Sequence, residues 1–225
     1  MTQCEVLIFE HLKYQTGWDL QNQLVAERQA GGIDRLLLVE HLPTYTLGTS
    51  GHMSNLLLSE EEYTKRGIDV VQVDRGGDIT YHGPGQVVGY PIIQLSREHF
   101  RTNVVGYVRD IEEVIILTLA DYGIKGKRIS GLTGVWVDTA RGEEKICAIG
   151  VRVNVKAITK HGFALNVNTD LSYFEGIIPC GIEDKGVTSL SALLGHDIDL
   201  DEVRSQITFY FGEVFGYEMI HHVPN

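Results

Sequence analysis

The sequence is short of cysteine, of long apolar runs and of basic charge, and each shortage removes a class of protein. Three cysteines in 225 residues are an odd number and too few for a disulfide framework, which points to a reducing, cytosolic setting. The longest uninterrupted apolar runs are of the size of Val114–Leu117, far below the roughly 20 residues of a membrane-spanning helix. The first residues carry Glu5 and Glu10 instead of a basic stretch followed by an apolar one, so an export signal is not expected. With 19 basic against 30 acidic residues the net charge is −11. A nucleic-acid partner is therefore not expected, because such binders need a basic field to neutralise phosphate.

Motif chemistry is missing in several recognisable forms. No Gly-Lys-Ser or Gly-Lys-Thr occurs, so there is no phosphate loop, and the glycine-rich stretch at 75–86 is not followed by the helix that a dinucleotide fingerprint requires. Neither Cys-x-x-Cys nor His-Glu-x-x-His is present among the nine histidines and three cysteines, so no metal and no cofactor is expected. What remains is an ordinary globular composition, 43% apolar and 22% charged, long enough for one sizeable core.

Periodicity predicts strands at 5–13, 35–40, 69–74, 87–95, 134–138, 145–155 and 164–168, and helices at 18–31, from Ser59, at 102–122, 189–194 and 199–215. The stretches 43–51, 75–86 and 176–186 read as loops. Alternating strands and helices without a repeat or linker predict a single domain over 1–225 of the α/β (α+β) class, a mixed sheet flanked by helices.

Two loops and one strand carry the candidate chemistry. Residues 75–86, Arg-Gly-Gly-Asp-Ile-Thr-Tyr-His-Gly-Pro-Gly-Gln, set Arg75, Tyr81 and His82 among four glycines, which let a ligand approach the backbone closely. Cys180 stands between Pro179 and Gly181, on a turn where a thiol can be exposed. Lys145 opens an apolar strand, and an ammonium beside sulfur favours the nucleophilic thiolate. Cys147 competes for that role, since two residues' separation in a regular strand places both side chains on one face. Cys4 sits near the start and is assigned no role. His82 and His161 complete the polar set. A basic patch, Lys125, Lys127 and Arg128, is nominated for docking an acidic partner.

These residues lie in stretches that resemble the octanoyltransferases of lipoate biosynthesis. The resemblance is carried by 75–86 followed by Tyr90-Pro91, by Gly131–Val137, by Lys145–Gly150, by His161–Asn168 and by Pro179-Cys180-Gly181-Ile182. All five occur in family order, with a weaker match at Pro43–Gly48. The resemblance implies the fold of the biotin and lipoate protein ligases and a Cys/Lys pair at Cys180 and Lys145, which decides against Cys147. It implies an acyl and pantetheine pocket formed by Arg75, Gly76, Gly77, Asp78, Ile79, Thr80, Tyr81 and His82, by Ala148, Ile149 and Gly150, and by Gly162, Phe163 and Ala164. The glycines at 76, 77 and 150 are expected to leave room for the chain. The implied donor is octanoyl-acyl carrier protein. Lipoyl domains of 2-oxoacid dehydrogenases and the glycine cleavage H protein are the implied acceptors, with no ATP required; a monomer is the default expectation. An ATP-dependent lipoate or biotin ligase on the same fold is the nearest alternative, ahead of a non-catalytic carrier-binding module and a cysteine hydrolase.

Overall fold

The computed structural model describes residues 2–95, 103–178 and 185–221. A large mixed sheet is its centre. In spatial order it runs β12 (Tyr217–His221), β1 (Thr2–Leu12), β2 (Asp34–His41), β6 (Gln86–Ile92), β10 (Thr159–Asn166), β9 (Gly142–Val153), β8 (Leu132–Thr139) and β7 (Lys127–Ile129), with β11 (Gly186–Val187) also pairing β9. A smaller sheet holds β4 (Asp69–Gln72), β3 (Thr44–Leu47) and β5 (Ile79–His82).

Strand β2 shows why the sheet has helices on both faces. Its residues Leu36 and Leu38 pack into one core cluster, and the intervening Leu37 and Val39 into another. Both sides are apolar, so both must be covered. On the first face lie α3 (Val104–Asp121) and α5 (Leu200–Phe215), contributing Ile111, Val114, Ile115 and Leu119 and then Val203, Ile207 and Phe211. On the second lies α1 (Tyr14–Gln29), whose Leu24 meets Val88 and Tyr90. A third cluster, Tyr45, Leu47, Ile68, Ile79, Tyr81 and Ile177, fills the space under the smaller sheet.

Helix ends are set by local chemistry. Helix α2 (Glu60–Lys65) starts with a Ser59/Glu62 capping box, α3 with the Asn103 side chain accepting from Gly106 N–H at 2.7 Å, and α5 stops at Gly216 in the left-handed region. The expected helix at 189–194 is α4 (Leu190–Leu194), begun by Ser189 accepting from Ala192 N–H.

Several short elements depart from the expectation. Residues 43–51 and 75–86 were expected as loops, yet they contribute β3 and β5, paired antiparallel from Thr44↔His82 to Leu47↔Ile79. Each strand is four residues long, and β5 alternates apolar Ile79 and Tyr81 with polar Thr80 and His82, a pattern too short to read against the surrounding glycines. Strand β11 begins at the last residue of the third expected loop. Strand β12, which pairs parallel to β1, was not expected.

Candidate active site

A cavity of about 640 Å³ opens between the large sheet, the 75–82 segment and the start of α3. Of the expected binding residues, Arg75, Gly76, Gly77, Asp78, Thr80, His82, Ala148, Ile149, Gly150, Gly162, Phe163 and Ala164 line it, as do Lys145 and His161. Ile79 and Tyr81 do not. They are 0% and 1% exposed within the cluster under the smaller sheet, because the strand's two-residue period turns them away from Thr80 and His82. The sequence reading missed Tyr14, Ser50, Val88, Val104, Val108 and Val151 in the wall. Tyr90, Gly131, Leu132 and Thr133 lie inside quoted motifs, but no role was given to them. Nothing marks Tyr14 at the head of an ordinary helix.

Lys145 reaches the cavity through an irregularity in β9. Val135 pairs with Cys147, but Trp136 pairs with Lys145, so Ile146 is an extra residue. Such a bulge breaks the alternation. Ile146 and Cys147 both join the core, while Lys145 lines the cavity. The expectation that Lys145 and Cys147 share a face is therefore corrected. Cys147 is fully buried, and burial pushes its thiol far above the ordinary range despite the nearby lysine. Cys4 is likewise fully buried, with its thiol pushed up by burial. Opposite the bulge, Gly134 has φ 118°, and a Cβ there would come 2.6 Å from the Cys147 carbonyl oxygen. The Lys145 Nζ sits 4.7 Å from the centre of the Trp136 ring, a cation–π arrangement that holds the amine in place.

Cys180 lies outside the described residues, but the chain on either side of it is anchored. Ile178 N–H donates to Asn55 O at 2.8 Å, and after the gap Val187 pairs with Lys145 in parallel. Thr188 N–H then donates to Lys145 O at 3.0 Å. The chain that follows Cys180 thus joins the large sheet at Gly186–Val187, beside Lys145.

The glycine-rich loop is held by its own polar atoms. The Arg75 guanidinium donates to Thr46 O at 2.7 Å, Thr46 Oγ1 at 2.9 Å and Gly76 O at 3.1 Å, and Gly76 N–H donates to Val151 O at 3.1 Å. Asp78 accepts from Ile79 N–H at 2.7 Å, from His52 N–H at 3.3 Å and from the Asn55 side chain, tying the 50–55 turn to the glycine-rich loop. Gly150 is needed for this closure. A Cβ on it would stand 2.9 Å from Gly76 O and 3.1 Å from Arg75 Cδ. Its missing side chain makes room for the loop, where the sequence reading reserved that room for a ligand.

Three histidines around the cavity are neutral. Burial lowers the His41 and His161 pKa values to about 4 and that of His82 well below the ordinary value. Neutral His161 sits with Nε2 2.6 Å from Asp74 Oδ1, and because a carboxylate only accepts, Nε2 carries the hydrogen. Burial alone would raise the Asp74 pKa. Hydrogen bonds from His161 and Lys160 outweigh it and hold the carboxyl below its usual range. His161 also has φ 59°, uncommon for a residue with a Cβ.

The nominated basic patch is largely neutralised. Lys127 pairs with Asp138 and Glu143, each at 2.6 Å, and Arg128 pairs with Glu113 at 2.6 Å and Glu112 at 3.0 Å. Two of its three charges thus face carboxylates of the same chain, which corrects the expectation of a free basic surface.

Residues 13–212 match the family described as Lipoyl protein ligase A/B catalytic domain. The chain belongs to that family. Among its relatives is an octanoyltransferase of Chloroflexus aurantiacus, 50% identical over 208 residues and spanning 92% of each chain. Another, from Koribacter versatilis, is 47% identical over 217 residues, covering 96% of this chain and 86% of the relative. Solved structures in the lipoyl ligase family share the fold. A bipartite lipoate protein ligase from Thermoplasma acidophilum superposes with a TM-score of 0.78 at 18% identity, over 100% of this chain and 88% of the other. The biotin protein ligase of Aquifex aeolicus is more distant, with a TM-score of 0.53 at 13% identity over 96% and 71%. The solved ligases support the ATP-dependent reading through fold alone, whereas the relatives near 50% identity carry the octanoyltransferase name.

Proposed function

We propose that this protein is an acyltransferase that moves an octanoyl (or lipoyl) group from acyl carrier protein to a lysine of lipoyl-domain proteins through a thioester on Cys180. The observation that carries this reading is Lys145, bulged out of a core strand into the wall of a cavity and paired through its backbone with the segment that follows Cys180.

In the first half-reaction the Cys180 thiolate attacks the donor thioester carbonyl. The carbon–sulfur bond to the carrier's pantetheine breaks, and the departing thiolate takes up the proton that Cys180 gave to Lys145. In the second, the target lysine's neutral amine attacks the enzyme thioester, the carbon–sulfur bond to Cys180 breaks and an amide forms. The proton lost by nitrogen returns through Lys145 to the cysteine sulfur. Thioester exchange is close to neutral and aminolysis runs downhill, so neither step calls on a nucleotide. The apolar part of the wall, Val88, Ala148, Ile149 and Ala164, suits an alkyl chain. The acceptors, 2-oxoacid dehydrogenase lipoyl domains and the glycine cleavage H protein, follow from the family resemblance, and a cytoplasmic monomer is the matching form.

Intact-mass measurement after mixing with octanoyl-carrier tests this directly. Wild type should gain one octanoyl group, while Cys180→Ala should gain none and should not modify a lipoyl domain. Octanoylation by Cys180→Ala at the wild-type rate would overturn the reading. With Lys145→Met, acylation of the enzyme and transfer to the lipoyl domain should each fall by about 10²–10⁴-fold, the usual contribution of a positioned acid–base group.

A further inference from the structure

The wall of the cavity away from Lys145 is polar, rigid and hydrogen-bonded in one direction. His41 Nδ1 lies 2.9 Å from Leu12 O. A carbonyl only accepts, so Nδ1 carries the hydrogen of this neutral, buried ring, and Nε2 is left as an acceptor. The Tyr90 hydroxyl, 2.8 Å from Nε2, must therefore be the donor. The Tyr14 ring packs against His41, with ring centres 5.0 Å apart. Tyr14 also stacks on His82, with ring centres 5.6 Å apart. The hydrogens of Tyr90 and His41 are both committed, so neither of these two rings turns aside without breaking a hydrogen bond.

Strand register places this group relative to Lys145. Tyr90 on β6 lies in the row of Gly162 on β10 and Gly150 on β9, while the row Val88, Ala164, Ala148 comes between it and Lys145. With Ile146 absorbed by the bulge, four ladder steps separate Lys145 from Gly150, about 14 Å at ~3.4 Å per residue. Eight carbons span on the order of 8 Å by the reach of an extended chain. A medium-length chain whose carbonyl is near Lys145 would thus end against Tyr14.

We propose that Tyr14, packed against His41 and His82, is the end stop against which the acyl chain is measured, a specificity-determining residue for chain length. The inference rests on the acyl-transfer reading above and deepens it. It is tested by competition, with equimolar hexanoyl-, octanoyl-, decanoyl- and dodecanoyl-carrier offered together and the acylated lipoyl domain resolved by mass. The product ratio within one tube does not depend on how much enzyme is folded. Tyr14→Ala should raise the decanoyl-to-octanoyl ratio by about tenfold or more, in line with the discrimination that one or two methylenes allow. Tyr14→Leu should give a smaller shift in the same direction, and it keeps apolar bulk on α1 should the alanine variant fail to fold. Tyr14→Phe, which retains the ring, should shift the ratio least. An unchanged ratio in the alanine or the leucine variant while transfer continues would overturn the end stop. Absence of any transfer by wild type would instead count against the acyl-transfer reading.

Discussion

At the scale of single residues, the site depends on atoms that are missing as much as on those present. Gly150 permits the 75–77 loop to close on β9, with Gly76 O only 2.9 Å from where a Cβ would stand. Gly150→Ala should therefore displace the loop that frames the cavity. Misplacement by about 1 Å commonly costs on the order of 10²-fold, so kcat/KM should drop by about 10–100-fold while the melting temperature moves by a few degrees. A large loss of stability with unchanged kcat/KM in the folded fraction would contradict this role. The two cysteines in contention are separated in the same way. Cys147 is fully buried among apolar side chains, so Cys147→Ser should destabilise by about 1–3 kcal/mol, the cost of a poorly bonded hydroxyl in a core. Acylation by octanoyl-carrier should persist in that variant. Loss of acylation by a folded Cys147→Ser protein would count against the assignment of Cys180.

At the scale of elements, the bulge in β9 converts a strand that reads as uniformly apolar into one that delivers a lysine to a cavity. Its counterpart on β8 is fixed by the buried Glu112 of α3, which accepts from Gly134 N–H at 3.2 Å and pairs with Arg109 and Arg128. Removing one cation from a fully buried carboxylate leaves it undercompensated. Arg128→Ala should thus lower stability by about 1–3 kcal/mol, with the other cation still in place. Its effect on the KM for carrier should be small, because Arg128 is already engaged by Glu112 and Glu113. Chemical denaturation and steady-state kinetics on the same preparation check both halves, and a raised KM at unchanged stability would restore the docking surface. Long elements were legible in the sequence. The period of α3 and the apolar run of β2 follow from burial on one face and on two faces respectively. Strands β3 and β5 were hidden because four residues bounded by glycines hold no full period, and half of β5 faces the cavity instead of a core.

At the scale of the whole molecule, the buried neutral histidines link folding to pH. His41 and His161 titrate near pH 4 when folded, against an ordinary value of 6.5. Between those values the unfolded chain binds more protons than the folded one, so stability rises with pH and is lost as pH falls from about 6.5 towards 4. Each could contribute up to about 3 kcal/mol across that window. The melting temperature should therefore decline between pH 6.5 and 5, above the range where most carboxylates titrate. His41→Gln should be less stable at pH 7 and show a shallower decline, and a flat profile for wild type would refute the linkage. The Asp74 carboxyl, held below its usual range, adds a loss of the same sign at lower pH.

The sequence by itself determined the class of fold and the stretches that carry chemistry, because these are written in local periodicity, in glycine spacing and in the identity of reactive side chains. Lys145 and twelve of the residues that the family resemblance implied for binding, from Arg75 to Ala164, line one cavity wall. Only the tertiary structure decided which way each side chain faces. Ile79 and Tyr81 turn into a core by strand parity, Cys147 is drawn inward by a one-residue bulge, Lys127 and Arg128 are matched by carboxylates from other elements, and Tyr14 arrives from a helix that carries no motif. Each of these depends on contacts between residues distant in the chain, and a register shift or an ion pair across elements leaves no mark on local sequence.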